Sequence, residues 1–540
     1  MPQPERLTRA ERCTLAVTLA LALALRTWGI GFGLPHQEAR PDESVAIRIA
    51  LQFLSGDPNP RFFHWPSLHM YVLAGLYGVH YIVGRALGWY GGLQEFLARW
   101  NADWAPFFLI ARFYSAALGV MTVYLTFRIA QRLDGRTTGL VAAGFLAAAF
   151  LHVRESHFAM LDVPMTFLVM ASILFLLRTS DDEQPGTFAI AGALCGFAVS
   201  TKYNALPLVA PALAAPFIPA QNAAAATRRV HPPFTLVVAF LIPFVAAFLA
   251  GTPYALGDWL RFVEDLQYDF THLSGGHGFE VGRGWVAHLR ISLLHGMGLP
   301  LLVAAIAGFG VLLRRRDRAA VVLGAFAIAY YVVTGSGSTV FARYALPLVP
   351  VLCVTAALVT CRVGSALAVR LRVVPGIAIS ALTVMLSVPS FVNAVRLDRV
   401  LGRTDTRVLA ADWMVRHVPA GSSVAQTGSR WGALELPQAN GFHVWTFDPA
   451  RRMFLRDGRP TRDLPDWIVV ERSRLRQYSR LPHELRQILD DRYQLAQRFE
   501  AGGLGSGANV FDQQDAFYVP LSGFHGVERP GPSIDLYRRR

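Results

Sequence analysis

The chain has 540 residues, of which 53% are hydrophobic and only 16% are charged, and its mean hydropathy is +0.35. Ordinary soluble domains carry about 25% charged residues, so this composition excludes a purely soluble protein. The net charge of +14 does not indicate nucleic-acid binding, because residues 403–540 hold 20 arginines against 16 acids and most of the excess lies in short loops between apolar segments. The four cysteines provide neither a disulfide framework nor zinc-site spacing.

Apolar segments that approach the roughly 20 residues of a membrane-spanning helix recur from residue 13 to residue 393 and then stop. This pattern predicts a membrane domain over residues 1–400 and a soluble domain over residues 401–540. The candidate segments, in chain order, are residues 13–34, 66–87, 107–130, 138–158, 163–177, 188–200, 205–219, 234–252, 288–313, 320–334, 345–360 and 374–393.

Basic residues decide which of these segments cross the membrane, because positively charged loops remain in the cytoplasm. If residues 66–87 lie at the outer surface, every dense arginine cluster between spans falls inside; if they cross, all of the clusters fall outside. We therefore predict about eleven crossings, a cytoplasmic N-terminus and an extracytoplasmic C-terminal domain. The clusters are Arg128, Arg132 and Arg136; Arg178; Arg228 and Arg229; Arg314, Arg315, Arg316 and Arg318; and Arg362, Arg370 and Arg372.

Two regions outside the spans have recognisable patterns. Residues 43–55 carry a narrow polar stripe on an apolar background, which predicts a short helix on the membrane surface. The C-terminal domain is predicted to be a small α/β domain. Its predicted elements are helices over 407–418 and 479–499, strands over 466–470 and 533–537, and a flexible loop over 502–507.

Three acidic residues lie in the predicted outer loops. Asp42 and Glu43 follow Pro41 after the first span. Such a pair is often no more than solvated loop charge, but a partly desolvated aspartate can also act as a general base or bind a metal ion. Asp162 stands at the outer start of a span, where a carboxylate is costly. It is either an N-cap of the helix that Pro164 helps to start, or a functional residue, or both.

Four basic residues lie on the outer side, against the general trend of the chain: Arg154, His157, Lys202 and Arg343. Single outer arginines are common, but four such residues in loops beside two acidic sites suggest a phosphate-binding group. Lys202 is the only lysine among 51 basic residues. A codon preference for arginine explains the arginine excess but not the survival of one lysine.

The order of motifs resembles the GT-C glycosyltransferases of family 39, whose relatives include protein O-mannosyltransferases and lipid A aminoarabinose transferases. The resemblance covers essentially the whole membrane region. The motifs are Arg40-Pro41-Asp42-Glu43, Phe63-His64-Trp65-Pro66-Ser67, Ala111-Arg112-Phe113, Ser156-His157-Phe158-Ala159-Met160-Leu161-Asp162-Val163-Pro164 and Ala342-Arg343-Tyr344-Ala345-Leu346-Pro347. In addition, residues 512–520 resemble tails of uncharacterised bacterial members and add no chemistry that can be assigned.

The resemblance implies an all-α GT-C membrane domain that takes a polyprenyl-phosphate sugar as donor. It assigns the role of the base to Asp42. The conserved acid in the second loop of the family corresponds to Asp162 in this chain. Mannosyltransferase-like members have a basic residue five positions before that acid, where this chain has His157, so the role of His157 is in doubt. Lys202 and Arg343, with His157 and Arg154, are the expected phosphate ligands. Glu43 is expected to assist catalysis, and the expected cavity residues are His64, Tyr203 and Tyr344.

The expected activity is transfer of the sugar, with inversion, to a hydroxyl of a glycolipid, glycan or protein at the outer face of the cell (inner) membrane. No cofactor is certain, and a divalent metal bound by Asp42, Glu43 and Asp162 is left open. A transporter or lipid flippase is the alternative, but it would favour internal repeats and charges near the bilayer midplane. A non-catalytic scaffold would not need the acidic and basic groups together.

Overall fold

The computed structural model describes residues 7–180, 183–218 and 231–540. The chain divides into two compact units. The first comprises Met1–Thr27, Val45–Trp100 and Ile110–Val395, and the second comprises Trp28–Ser44, Asn101–Leu109 and Arg396–Arg540. The second unit therefore draws on three separate stretches of the chain. Arg228 and Arg229 and the last residue of the predicted segment 205–219 lie outside the described residues.

All β-strands named in the described residues come after Leu401, and the regular elements from Arg9 to Leu401 are helices, as the long apolar segments predict. The α-helices in this part are Arg9–Thr27, Glu43–Leu54, Leu68–Ala86, Leu93–Ala102, Ala105–Asp134, Arg136–Ala148, Phe150–Ser156, Asp162–Arg178, Pro185–Thr201, Val209–Ala214, Pro233–Gly251, Tyr254–Gly257, Trp259–Gly275, Gly284–Ala287, Leu294–Met297, Leu299–Leu313, Arg318–Gly335, Leu348–Leu371 and Pro375–Leu401. The helix Glu43–Leu54 confirms the short helix predicted over residues 43–55.

Five helical stretches among the described residues are long and apolar enough to cross a membrane. They are Ala105–Asp134, Pro233–Gly251, Arg318–Gly335, Leu348–Leu371 and Pro375–His417. The pair Gly284–Met297 and Leu299–Leu313, bent by 114°, forms a sixth if it is one span. The chain is thus a multi-pass membrane protein, and the number of eleven crossings stays a prediction.

Of the five predicted outer loops, the second (residues 152–162) and the fourth (residues 253–287) contain helices. In the second loop, helix Phe150–Ser156 includes His152, Arg154 and Glu155. In the fourth, residues 259–275 form the amphipathic helix Trp259–Gly275, which buries Phe262 and Asp265. The charged residues of these loops are therefore held on regular structure, where their spacing along a helix fixes which side chains meet.

Close packing between two helices positions the single lysine. A Cβ atom on Gly192 would lie 2.1 Å from the carbonyl oxygen of Phe240, and one on Gly196 would lie 2.2 Å from that of Phe244. Only glycine permits backbones to approach so closely, as in small-residue helix contacts in membranes. Helix Pro185–Thr201 is thereby fixed against Pro233–Gly251, and Lys202 follows directly at its C-terminal end.

The second unit contains a seven-stranded sheet in the order β4-β3-β2-β1-β5-β7-β6. Strand β1 is parallel to β2 and to β5, and the other neighbours are antiparallel. The strands are β1 (Ser423–Gln426), β2 (His443–Asp448), β3 (Met453–Arg456), β4 (Arg459–Thr461), β5 (Trp467–Arg472), β6 (Tyr493–Phe499) and β7 (Ser533–Arg539). This confirms the small α/β domain.

Side chains of β5 alternate between two apolar layers, as strand geometry requires. Trp467 and Val469 pack with helix Thr406–His417 on one face. Ile468 and Val470 pack on the other face with Leu485 and Leu489 of helix His483–Arg492. Burial of both faces explains why β5 is a continuous apolar segment in the sequence.

The prediction of one helix over residues 479–499 is wrong. The helix occupies only His483–Arg492, and the chain then enters β6, which pairs with β7. A helix cannot continue past Arg492, because the backbone groups of residues 493–499 bond to the neighbouring strand. The helix predicted over 407–418 and the strands predicted over 466–470 and 533–537 agree with the structure to within two residues at each end.

Candidate functional site

The first unit holds a buried ion pair between Lys202 and Asp162. Lys202 is the C-cap of helix Pro185–Thr201, where its backbone turns to an extended conformation. Asp162 is the first residue of helix Asp162–Arg178. The Nζ atom of Lys202 donates a hydrogen bond of 2.7 Å to Oδ1 of Asp162. The carboxylate therefore binds the lysine. The N-cap position of this helix is Leu161, and Asp162 is the first residue of the helix itself.

Arg343 and Tyr344 complete this group, which we call the lysine–aspartate cluster (Asp162, Lys202, Arg343 and Tyr344). The Nε atom of Arg343 lies 4.0 Å from Oδ2 of Asp162. The Lys202 ammonium lies 4.8 Å from the centre of the Tyr344 ring, and the Arg343 guanidinium lies 4.1 Å from that of Phe341. Two cations thus approach one carboxylate and rest on aromatic rings, which stabilise positive charge in a dry environment.

Arg154 and His157, the other predicted phosphate ligands, are fully buried. Arg154 forms an ion pair with Glu155, and its guanidinium lies 5.4 Å from the Phe158 ring centre. The Nδ1–H of His157 donates to the carbonyl oxygen of Val153 at 2.9 Å. These contacts join the two residues to their own segment, and their role as phosphate ligands stays a prediction.

The cavity residues predicted as His64 and Tyr203 lie beside helix Trp259–Gly275. His64 lies 3.0 Å from Oδ1 of Asp269 through Nδ1 and 3.7 Å from Oδ1 of Asp265 through Nε2. The Tyr203 hydroxyl donates to the carbonyl oxygen of Phe63 at 3.0 Å. Burial raises the pKa of Asp269 to about 6, although the nearby His64 lowers it. Asp265 and Asp269 were not predicted as site residues. Their spacing of four residues on an amphipathic segment could have indicated that they share one helix face.

Asp42 and Glu43 belong to the second unit. The backbone of Asp42 has a φ of +73°, a left-handed conformation that few residues other than Gly, Asn and Asp adopt. Glu43 begins helix Glu43–Leu54 and is fully buried. Arg40, also fully buried, donates to Oδ1 of Asp515 at 2.6 Å and lies 5.3 Å from the Phe517 ring centre. The tail motif at residues 512–520 thus anchors the loop that carries Asp42.

No group of three or more His, Cys, Asp or Glu side chains is placed to hold a metal ion within residues 7–180, 183–218 and 231–540. Asp162 accepts a hydrogen bond from Lys202. The four cysteines are free thiols, of which only Cys13 is exposed. The possibility of a divalent ion at Asp42, Glu43 and Asp162 therefore gains no support from the described geometry.

Comparison with protein families identifies one matching region. Residues 108–249 match the family of dolichyl-phosphate-mannose-protein mannosyltransferases. This region contains Asp162 and Lys202. An uncharacterized protein of Aquifex aeolicus (strain VF5) is 30% identical over 92 residues, which are 17% of this chain and 18% of that relative.

Two solved structures are similar to this chain, and the first of them indicates its fold. The oligosaccharyltransferase AglB from Archaeoglobus fulgidus, in complex with an inhibitory peptide and a dolichol-phosphate, matches with a TM-score of 0.51 and 14% identity over 78% of this chain and 63% of AglB. ArnT from Cupriavidus metallidurans, bound to undecaprenyl phosphate, matches with a TM-score of 0.49 and 16% identity over 85% of this chain and 92% of ArnT. The chain thus spans less than two thirds of AglB.

The fold is that of the GT-C glycosyltransferases, and residues 108–249 resemble the mannosyltransferase family. The resemblance to family 39, inferred from the motifs, is confirmed, and the chain is mannosyltransferase-like over residues 108–249.

Proposed function

We propose that the protein transfers a sugar from a polyprenyl-phosphate donor to an acceptor hydroxyl, with inversion, at the outer face of the cell (inner) membrane. The observation that carries the proposal is the lysine–aspartate cluster, in which Lys202 and Arg343 approach the same carboxylate at 2.7 and 4.0 Å. Asp162 positions both cations before any ligand arrives, so little reorganisation is required when an anion binds.

The chemistry of the leaving group fits this arrangement. A phosphate is already acidic, so its departure requires stabilisation of negative charge more than a general acid. Lysine supplies a compact charge, and arginine supplies a planar set of donors that matches phosphate oxygens. In this proposal Lys202 and Arg343 bind the donor phosphate, and Asp162 is a positioning residue.

An apolar cavity of about 200 Å³ supports a lipid-linked donor. Its lining includes Pro164, two residues after Asp162, and Thr201, directly before Lys202. Leu68, Val72, Leu118, Phe167, Leu168 and Phe197 supply most of the remaining wall, together with His69 and Tyr114. A cavity with this lining suits a hydrocarbon chain, which gains about 25 cal/mol for each Å² removed from water. AglB, whose fold this chain shares, has been solved with dolichol-phosphate.

Asp42 is the proposed base. It deprotonates or orients the acceptor hydroxyl, which attacks the anomeric carbon in line with the departing phosphate. Support comes from its unusual backbone conformation, since residues held in sparsely populated conformations concentrate at functional sites. The adjacent Glu43 assists this role.

The test is a transfer assay with purified protein in lipid nanodiscs and a panel of radiolabelled polyprenyl-phosphate sugars. We expect release of polyprenyl phosphate from at least one donor when a glycan, lipid or peptide acceptor is present, and no release by Asp42→Asn. The control variant is Asp457→Asn, on an exposed turn of the C-terminal domain. Absence of donor binding and transfer across the whole panel in folded protein would refute the proposal.

A further inference from the structure

The C-terminal domain contains an unassigned crevice at the carboxyl edge of its parallel strands. The chain leaves β1 towards β2 on one side, whereas it leaves β5 towards β6 and β7 on the other. In open α/β sheets, ligands bind where consecutive connections diverge in this way, outside the carboxyl ends of the strands. Here that point lies between Gln426 at the end of β1 and Arg472 at the end of β5.

Glu471, at the end of β5, shows which face of the sheet the crevice occupies. Its ladder partner Ile534 belongs to the apolar layer of helix Thr406–His417, so the Glu471 side chain lies on that face. A Cβ atom on Gly428 or on Gly432 would lie 2.0 Å from its Oε2 atom, which accepts a hydrogen bond from the backbone N–H of Ser429 at 3.2 Å. Glu471 therefore supports the loop that follows β1, and the crevice lies on the other face, beside helix His483–Arg492.

Two adjoining cavities lie along this edge and share Leu481 and Arg486. The larger, of about 920 Å³, extends over the carboxyl ends of β1 and β2. The smaller, of about 460 Å³, includes Glu471 in its lining. Together they are large enough for a sugar of more than one residue, since small-molecule sites measure roughly 300–1,000 Å³.

The lining of the larger cavity is basic and polar. Arg480, His483 and Arg486 are exposed basic side chains, and the one acid of this cavity, Glu484, is 3.7 Å from Arg452. Gln426, Thr427 and Thr446 add amide and hydroxyl groups, and Phe447 adds an aromatic ring. In the smaller cavity Asp535 is paired with Arg472 and Arg498 at 2.9 and 2.8 Å, and Asp490 is also present.

We propose that this crevice binds a saccharide that carries a phosphate or carboxylate group. The arginines Arg480 and Arg486 bind the anionic group through charge-assisted hydrogen bonds. The polar residues Gln426, Thr427 and Thr446, at the ends of β1 and β2, bind hydroxyl groups. The site is separate from the lysine–aspartate cluster of the first unit and requires no transfer reaction.

The experiment uses the full chain in nanodiscs and measures binding by ligand-observed saturation-transfer NMR with glucose 1-phosphate, glucose and inorganic phosphate. We expect glucose 1-phosphate to bind more tightly than either other probe. The double variant Arg480→Gln, Arg486→Gln should lose about tenfold or more in affinity, corresponding to about 1.4 kcal/mol.

The matched control is Arg456→Gln, Arg459→Gln, which removes two exposed arginines from the β3–β4 hairpin of the same domain. Its affinity should stay within about twofold of the wild type. Lys202→Ala should retain glucose 1-phosphate binding, which separates this site from the proposed donor site. The proposal is overturned if glucose 1-phosphate binds no more tightly than glucose or phosphate, if the two double variants behave alike, or if Lys202→Ala abolishes binding.

Discussion

The Nζ atom of Lys202 lies 2.7 Å from Oδ1 of Asp162, and both side chains are buried. The only lysine of the chain is thus paired with the carboxylate that begins the neighbouring helix. Removal of one member of such a pair leaves the other charge unpaired in a dry environment, which costs about 3–5 kcal/mol.

Lys202→Ala should therefore lower the thermal unfolding temperature and weaken donor binding together. Lys202→Arg should recover only part of the binding, because the guanidinium is bulkier and less strongly hydrated than the ammonium. Donor affinity and turnover of both variants are measured against the wild type in one detergent, below the unfolding temperature of each. If Lys202→Arg matches the wild type in both, Lys202 is an ordinary interfacial charge, and Arg343 becomes the principal phosphate ligand.

Asp42→Asn should abolish transfer without loss of folding. The amide keeps the shape of the side chain but not its basicity, and asparagine tolerates the left-handed backbone at this position. Asp42→Ala is a weaker test, because it adds backbone strain of about 1–2 kcal/mol. Glu43→Gln should reduce transfer less. Initial rates are compared at equal donor occupancy, and a rate for Asp42→Asn within about tenfold of the wild type would remove Asp42 as the base.

The stability of the C-terminal sheet should fall as the pH rises from about 4.5 to about 8. Burial raises the pKa of Glu471 to about 8, against an ordinary value of 4.5, although Tyr518, Ser429 and Arg407 lower it. The folded state binds the Glu471 proton more tightly than the unfolded state does. Protonation of Glu471 therefore stabilises the fold fully below pH 4.5, and this contribution is lost as the pH passes through about 8.

Hydrogen exchange of the β1 and β5 amides in the full chain measures this effect, after correction for the intrinsic pH dependence of exchange. Glu471→Gln should flatten the profile between about pH 6 and pH 9, since the amide does not titrate. Asp457→Asn, on an exposed turn, should leave the profile unchanged. Identical profiles for the wild type and Glu471→Gln would show that Glu471 does not titrate in this range.

The topology can be tested by cysteine labelling. Cys13 is the only exposed thiol, so Cys13→Ser provides a background with low reactivity. Cysteines placed at Trp89 and at Thr137, next to Arg136, should react with a membrane-impermeant reagent from opposite sides of the membrane. Both side chains are exposed in the structure. Reaction of both from the same side would contradict the predicted surface position of residues 66–87.

The sequence indicated candidate site residues where a charged side chain is energetically unfavourable in its surroundings. Asp162 and Lys202 stood out because charges are rare in apolar segments, and the structure brings them together with Arg343 and Tyr344. The apolar lengths also predicted the helical membrane unit, and residues 466–470 were predicted as a strand, which the structure shows as β5. Charges within apolar segments and the lengths of those segments can be recognised from neighbouring residues alone, without knowledge of distant partners.

Other features could not be predicted because they depend on distant partners. Residues 493–499 follow a helix and become a strand only because β7, more than thirty residues later, supplies its hydrogen bonds. Asp265 and Asp269 lie between two predicted spans, where no secondary structure was predicted, so their common helix face and their contact with His64 were missed. Nothing in the sequence around Arg40 indicated that Asp515, 475 positions later, is its partner.

The contact between Arg40 and Asp515 joins residues 475 positions apart, and this separation has a consequence for synthesis. At about 5–20 residues per second, roughly 25–95 s pass between the appearance of the two side chains. During that interval the loop that carries Asp42 lacks the carboxylate that neutralises Arg40. Products that terminate before Asp515 never acquire it, so we expect ribosome-stalled or nonsense-truncated chains to expose this loop to proteases. The loop that carries Asp42 is therefore expected to resist proteases only after Asp515 has been synthesised.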